Sequence, residues 1–453
     1  MSQLRVAVVG AGPAGIYASD ILCKEAEGIH EVAIDLFDRL PAPYGLVRYG
    51  VAPDHPRIKG VIGALRDVLD TGRIRIFGNV NFGTDITLED LRRHYNVVIF
   101  ATGAFYDAPL AIPGIDAKNS FGAADFVNWY DGHPDVPRTW PLDQSSVAVI
   151  GNGNVALDVA RVLAKDADDM LPTEIPANVY EGLRASKVTD VHVFGRRGPL
   201  QVKFTPLELR ELGEVPGVDI VVAEEDFDRD PATDEAAKTN KQILVISRIL
   251  NKWRESQDAL EQPRRIHLHF YARPDEVLTD ESGAVSALRI VRTEPTGDGG
   301  VRDTDETREI AIGQLYRAVG YFGSPLTDVP FDAERGVIPN EAGAVVDADG
   351  SRAGGMYATG WIKRGPVGLI GATKSDARET VEQILAEEST WWTPEVTDDA
   401  AIVSLLDARG VRYTDLDGWH RLDEHERALG AAEGRERIKV VDREEMLRIS
   451  RGE

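Results

Sequence analysis

Residues 4–15 read Leu4-Arg5-Val6-Ala7-Val8-Val9-Gly10-Ala11-Gly12-Pro13-Ala14-Gly15. Leu4 to Val9 is apolar in pattern and reads as a strand. A G-x-G-x-x-G turn then leads into a helical stretch reaching about Glu25. In such a turn the first glycine permits the tight bend. The second lets a pyrophosphate approach the backbone, and the third lets helix and strand pack closely. Phosphates then face the N-terminus of the helix, where free N–H groups and the helix dipole attract anions. The next apolar run, Val32 to Phe37, ends on Asp38, placed to accept ribose hydroxyls. Gly10, Gly12, Gly15 and Asp38 are therefore expected to hold one dinucleotide.

Farther along, the pattern returns. Val147 to Ile150 is a strand, Gly151-Asn152-Gly153-Asn154-Val155-Ala156 a G-x-G-x-x-A turn, and Leu157 to Ala164 a helix. Here the following strand, Val191 to Phe194, ends in Gly195-Arg196-Arg197-Gly198. A carboxylate at that point would repel the 2′-phosphate of NADP(H), whereas guanidinium groups grip it bidentately. The expected pair of cofactors is FAD at the first turn and NADP(H) at the second.

Two further strand ends share a motif. Val97-Val98-Ile99-Phe100 runs into Ala101-Thr102-Gly103, and Met356-Tyr357 into Ala358-Thr359-Gly360. Together these repeats predict an α/β fold of two nested Rossmann-like dinucleotide-binding domains. The FAD domain would comprise residues 1–104 and 331–453, and the inserted NADP domain residues 105–330. Val61 to Leu69 has helical periodicity. From about residue 395 the chain becomes charged and helical in pattern, with Trp419 and Leu422 as anchors. The polar stretches 223–240 and 294–308 read as exposed loops.

Composition removes several classes of function. One cysteine, Cys23, among 453 residues cannot form an intramolecular disulfide, a CxxC redox pair, an iron–sulfur cluster or a structural zinc site. No metal is expected. Acidic residues outnumber basic ones 75 to 51, a net charge of −24, so nucleic acid and anionic membranes are repelled over most of the surface. An acidic protein partner needs a local basic patch. No apolar run approaches the ~20 residues of a membrane span. The first strand begins too early to leave room for a signal peptide, so the expected compartment is the cytoplasm.

Three weaker features remain. Glu208 and Glu211 lie three apart, on one face of a helix that spans Leu207 to Leu212. His55 sits in a turn-rich loop, Pro41 to Pro56, where a histidine is ordinarily surface. Trp361 to Gly371 supplies glycines that would let a helix N-terminus approach a flavin's pyrimidine edge.

Longer stretches resemble one known family. Tyr44-Gly45-Leu46-Val47-Arg48-Tyr49-Gly50 continuing to Asp54-His55-Pro56, Gly151 to Arg161, Gly195-Arg196-Arg197-Gly198-Pro199, Gly360 to Pro366 and the spaced Trp419, Lys439 and Glu445-Met446-Leu447 are similar to adrenodoxin-reductase-like ferredoxin–NADP reductases. The likeness covers essentially the whole chain. It implies NADPH-driven electron transfer through tightly but non-covalently bound FAD to a ferredoxin or similar small iron–sulfur protein. NADPH would give a hydride to the flavin, and single electrons would pass onward. Carried over by motif, FAD contacts fall on Ala14, Asp38, Leu46, Val80, Trp361, Gly368, Leu369 and Ile370. NADP contacts fall on Asn152, Gly153, Asn154, Val155, Arg196, Arg197, Glu208 and Gly368. His55 and Glu211 match a histidine and glutamate near the flavin. The rival reading is an FAD/NADPH-dependent monooxygenase, which also pairs two such turns.

Overall fold

The computed structural model describes residues 2–227, 235, 239–366 and 370–453. The chain divides into two compact units. The first comprises Met1–Tyr106, Asp131–Asp135 and Tyr321–Glu453; the second comprises Asp107–Tyr130 and Val136–Gly320.

In the first unit five strands run parallel in the order 352–358, 97–100, 2–9, 30–38 and 74–78, and the short strands 344–346 and 340–341 extend the edge antiparallel. The chain builds outward from the first strand to 74–78, then crosses back to place 97–100 on its other side. That reversal opens a crevice beyond the carboxyl end of the first strand, where such sheets bind ligands. The glycine turn sits there. Both Ala-Thr-Gly strand ends are neighbours in this sheet, the Thr359 N–H donating to the Phe100 carbonyl at 2.9 Å.

The second unit repeats the device with a six-stranded parallel sheet ordered 120–122, 314–317, 146–150, 190–194, 264–269 and 218–222. Its switch point lies at the strand Ser146–Ile150, flanked by 190–194 and 314–317. An antiparallel three-stranded sheet, Ala272–Thr279, Val285–Pro295 and Val301–Ala311, completes the unit.

Two loop expectations are corrected by that last sheet. Residues 294–308 are mostly hairpin, the turn being confined to 296–300 between paired strands. Nor is 223–240 uniformly exposed. Asp226 is buried, accepts the Phe270 N–H at 3.1 Å and pairs with the equally buried Arg292 at 2.6 Å. Residues 228–234 and 236–238 of that stretch lie outside the described residues. Because removing one partner leaves a buried charge alone, Arg292→Met is expected to destabilise the second unit by about 3–5 kcal/mol. Urea unfolding followed by tryptophan fluorescence measures it, and a midpoint equal to that of the parent contradicts it.

The C-terminal extension is helical as expected: Ala401–Ala408, Leu416–Ala432 and Arg443–Arg451. Trp419 and Leu422 are both buried in the first unit's core. Among the described residues no helix is long and apolar enough to cross a membrane.

Candidate functional site

The first turn is built by close approach. Gly10 takes φ +114°, and a Cβ there would lie 2.4 Å from the Ala101 carbonyl oxygen, so only glycine fits. A Cβ on Gly15 would lie 2.1 Å from the Gly10 carbonyl oxygen, which is the tight strand–helix packing the motif needs. Gly12 differs: its nearest neighbour would be the Gly45 Cα at 3.9 Å, which leaves open space above it. Gly12 is also the N-cap of the helix Pro13–Glu25, and among the described residues no side chain caps its N–H groups. An uncapped helix start beneath empty space is the cradle a pyrophosphate fits.

Two other segments converge on this turn. The Tyr44 N–H donates to the Ala11 carbonyl at 2.8 Å, bringing Gly45 against Gly12 and starting the short helix Leu46–Tyr49 beside it. Gly360 comes so near that a Cβ would lie 2.6 Å from that of Ala14, and Trp361 follows, half-buried and stacked on Tyr321. Asp38 accepts the Ala11 N–H at 2.7 Å and the Leu40 N–H at 2.8 Å. Burial pushes its carboxyl up against the pull of these two donors. Asp38 therefore anchors the turn itself, a role its strand-end position alone did not reveal. Val80 buries its side chain in the core and donates its N–H to the Asp38 carbonyl at 2.8 Å. Gly368 and Leu369 lie outside the described residues. Ile370 opens the helix Ile370–Ala386.

In the second unit the same construction recurs at the first two glycines, with Ala156 in the third place. Gly151 takes φ +141° and its Cβ would lie 2.2 Å from the Ala318 carbonyl oxygen. Gly153 has nothing within 4 Å and is the uncapped N-cap of the helix Asn154–Ala164. The turn is braced by residues 203–205: the Asn152 carbonyl accepts from the Lys203 and Phe204 N–H groups at 3.0 and 3.1 Å, and the Asn154 side chain from Thr205 N–H at 2.9 Å. Thr205 stands at the N-cap position of the helix Pro206–Leu212, without a side-chain capping bond, and that helix carries Glu208 buried and Glu211 half-buried. Arg196 is exposed and Arg197 half-buried; among the described residues neither guanidinium pairs with a carboxylate. In so acidic a chain, two guanidiniums that pair with no carboxylate among the described residues are able to take an anion.

His55 departs from the surface expectation, since only 4% of it is exposed. Its N–H donates to the Ala52 carbonyl at 3.0 Å, and its own carbonyl accepts from Lys59 N–H at 3.2 Å. The structure thus gathers Gly10, Gly12, Ala14, Gly15, Asp38, Leu46, Val80 and Trp361 in the first unit and Asn152 to Val155, Arg196, Arg197 and Glu208 in the second. His55 belongs to the first unit and Glu211 to the second. Gly45 and Gly360 were not among the expected contacts; a lone glycine beside a tyrosine or tryptophan signals close approach only once its neighbour is known. No group of three or more His, Cys, Asp or Glu side chains among the described residues can hold a metal.

Two glycine turns, each at the switch point of its own parallel sheet, define an oxidoreductase that binds two dinucleotides. Residues 4–193 match the family described as pyridine nucleotide-disulphide oxidoreductase. The lone Cys23 excludes the dithiol chemistry in that description. NADPH-ferredoxin reductase FprA of Mycobacterium tuberculosis is 39% identical over the full length of both chains. The mitochondrial NADPH:adrenodoxin oxidoreductase of Arabidopsis thaliana is 36% identical, covering 98% of this chain and 95% of its own. The solved structure of Mycobacterium tuberculosis FprA in complex with NADPH matches with a TM-score of 0.89 at 37% identity, covering 99% of this chain and all of that one. The chain belongs to the family of NADPH:adrenodoxin and NADPH-ferredoxin reductases.

Proposed function

We propose that this chain is an NADPH-dependent flavoprotein reductase that passes electrons through FAD to a ferredoxin or similar small iron–sulfur protein in the cytoplasm. The observation that carries the reading is the pair of like-built turns with unlike strand ends, Asp38 after the first and Arg196-Arg197 after the second. On this reading the first unit is the FAD domain, held at Gly10 to Gly15, Asp38, Leu46, Val80, Trp361 and residues 368–370. The second unit is the NADP domain, held at Asn152 to Val155, Arg196, Arg197 and Glu208. Bound FAD would supply the change from two-electron to one-electron transfer. The protein's part is to bind, to orient nicotinamide and flavin rings, and to exclude water. Anaerobic titration of the purified yellow protein with NADPH, followed by a ferredoxin, tests the reading. Stoichiometric bleaching and then reduction of the ferredoxin are expected; oxygenation of an organic substrate coupled to NADPH use contradicts them.

His55 is assigned to orienting the nicotinamide and tuning the flavin, and Glu211 to the same step. A buried imidazole in a fixed loop is suited to positioning, so His55→Ala is expected to slow NADPH-driven flavin reduction about tenfold, below the 10²–10⁴ typical of an obligatory acid–base group. Groups acting through one interaction are not additive. The His55→Ala, Glu211→Ala double variant should therefore lose less than the product of the single losses. Stopped-flow reduction of the four proteins decides the matter, and fully multiplicative losses sever the two roles.

A further inference from the structure

The C-terminal helices hold none of the residues assigned to either nucleotide, yet they press buried charge against the segment between the glycine turn and His55. The Arg48 guanidinium makes a two-pronged bond to the wholly buried Glu426 carboxylate, at 2.5 and 3.0 Å, and lies over the Trp419 ring at 5.2 Å. Trp419 meets Tyr44 edge-on and donates its indole N–H to the Tyr44 hydroxyl at 3.3 Å. Lys439, fully buried, donates to the main-chain carbonyls of Arg48 at 2.7 Å and Asp131 at 3.0 Å, with the Asp131 carboxylate 3.5 Å away. Lys59, just beyond His55, reaches the Val47 carbonyl at 3.4 Å and the same Asp131 carboxylate at 3.6 Å.

Removing this many ions from water is costly, and apolar packing alone would join the helices to the sheet more cheaply. What the charges add is direction. Lys439 fixes two main-chain carbonyls, and Glu426, which also accepts from Arg437 at 3.3 Å and from the Val440 N–H at 3.0 Å, fixes the Arg48 guanidinium, at points flanked by Gly45 against Gly12 on one side and His55 on the other. We propose that Lys439 and Glu426 are positioning residues for reduction at the first nucleotide site, holding residues 44–59, and with them His55, in register with the glycine turn. This rests on that turn being the flavin site. Displacing a reacting group by about 1 Å can cost up to about a hundredfold in rate, so a clamp of this kind would be felt in the chemistry and not only in stability.

The experiment uses the full-length yellow protein carrying Lys439→Met, which keeps the side chain's bulk and removes its donors, or Glu426→Gln. Flavin reduction by NADPH is expected to slow about tenfold, with shifted visible flavin bands and little change in the KM for NADPH, because the second unit is untouched. Arg421→Ala serves as the control. It breaks a bond to the Ser450 carbonyl within the same helix pair and no bond to residues 44–59. It should lower the melting temperature while keeping the parent's bands and rate. Lys439→Met and Glu426→Gln variants that melt earlier but reduce at the parent rate, with unshifted bands, overturn the proposal. Should neither variant fold, hydrogen exchange on the parent protein still decides. The amides of Val47, Arg48 and Tyr49 must exchange as slowly as those in the middle of the helix Leu416–Ala432; exchange as fast as in an open turn overturns the clamp. A parent protein without FAD removes the flavin reading beneath the proposal. A parent with FAD and unaffected variants removes the clamp alone.

Discussion

Replacing Arg196 and Arg197 together by alanine raises the KM for NADPH by about a hundredfold or more and leaves that for NADH nearly unchanged. Charge-assisted hydrogen bonds contribute roughly 1.5–3 kcal/mol each, which is about ten- to a hundredfold in affinity per residue. The structure explains why the full effect should appear. Neither guanidinium has a carboxylate among the described residues to which it is already committed. The Arg196 carbonyl accepts from Thr293 and the Arg197 carbonyl from Tyr271 N–H, so the main chain stays in place when the side chains go. Steady-state kinetics with both coenzymes measures the change, and a parent protein that uses NADPH and NADH equally well defeats the assignment.

The second large effect separates ligand from fold at one glycine turn. Gly12 has φ −77°, a conformation open to any residue, and a methyl group there meets no protein atom nearer than 3.9 Å. Gly12→Ala should therefore leave the melting temperature of the apoprotein unchanged while occupying the space above the helix start. Forcing a group into contact that close costs about 1–3 kcal/mol, or about ten- to a hundredfold in FAD affinity. Gly10→Ala is its opposite. The added carbon would lie 2.4 Å from a main-chain oxygen at a φ of +114°, so the fold suffers before any ligand arrives. Melting curves of the apoproteins with flavin titrations separate the two cases; a Gly12→Ala protein that binds FAD as tightly as the parent shows that no phosphate sits there.

Elements whose own residues carry a complete pattern were legible in the sequence. The helix Val61–Leu69 and the strand Val97–Phe100 have the bounds their periodicity predicts, because an amphipathic stripe and a wholly apolar run each specify their surroundings. The hairpin strand Val301–Ala311 was not legible. It is an edge strand of alternating acids, bases and threonines, largely facing water, and its pairing partner supplies the order that its composition lacks. Burial of charge was equally hidden. Nothing in the residues around Asp226, Lys439 or Glu426 distinguishes an ion sealed in the interior from one in solvent, since the partners Arg292, Asp131 and Arg48 lie tens to hundreds of positions away. His55 illustrates the same limit: its loop is rich in proline and glycine, a turn composition, yet the chain folds over it.

The order of the strands has a consequence for synthesis on the ribosome. In the first sheet, strand 97–100 pairs with strand 352–358, which emerges some 250 residues later, and Lys439 and Arg443 come later still. The second unit closes by residue 320 from nearly continuous chain. Contacts that wait on long loops form late, and domains fold as units while the chain is still growing. The unit with the paired arginines should thus be finished while the other is still a half-sheet with an open edge. A chain halted before residue 352 would then carry one native half and stay vulnerable to proteases at residues 2–106.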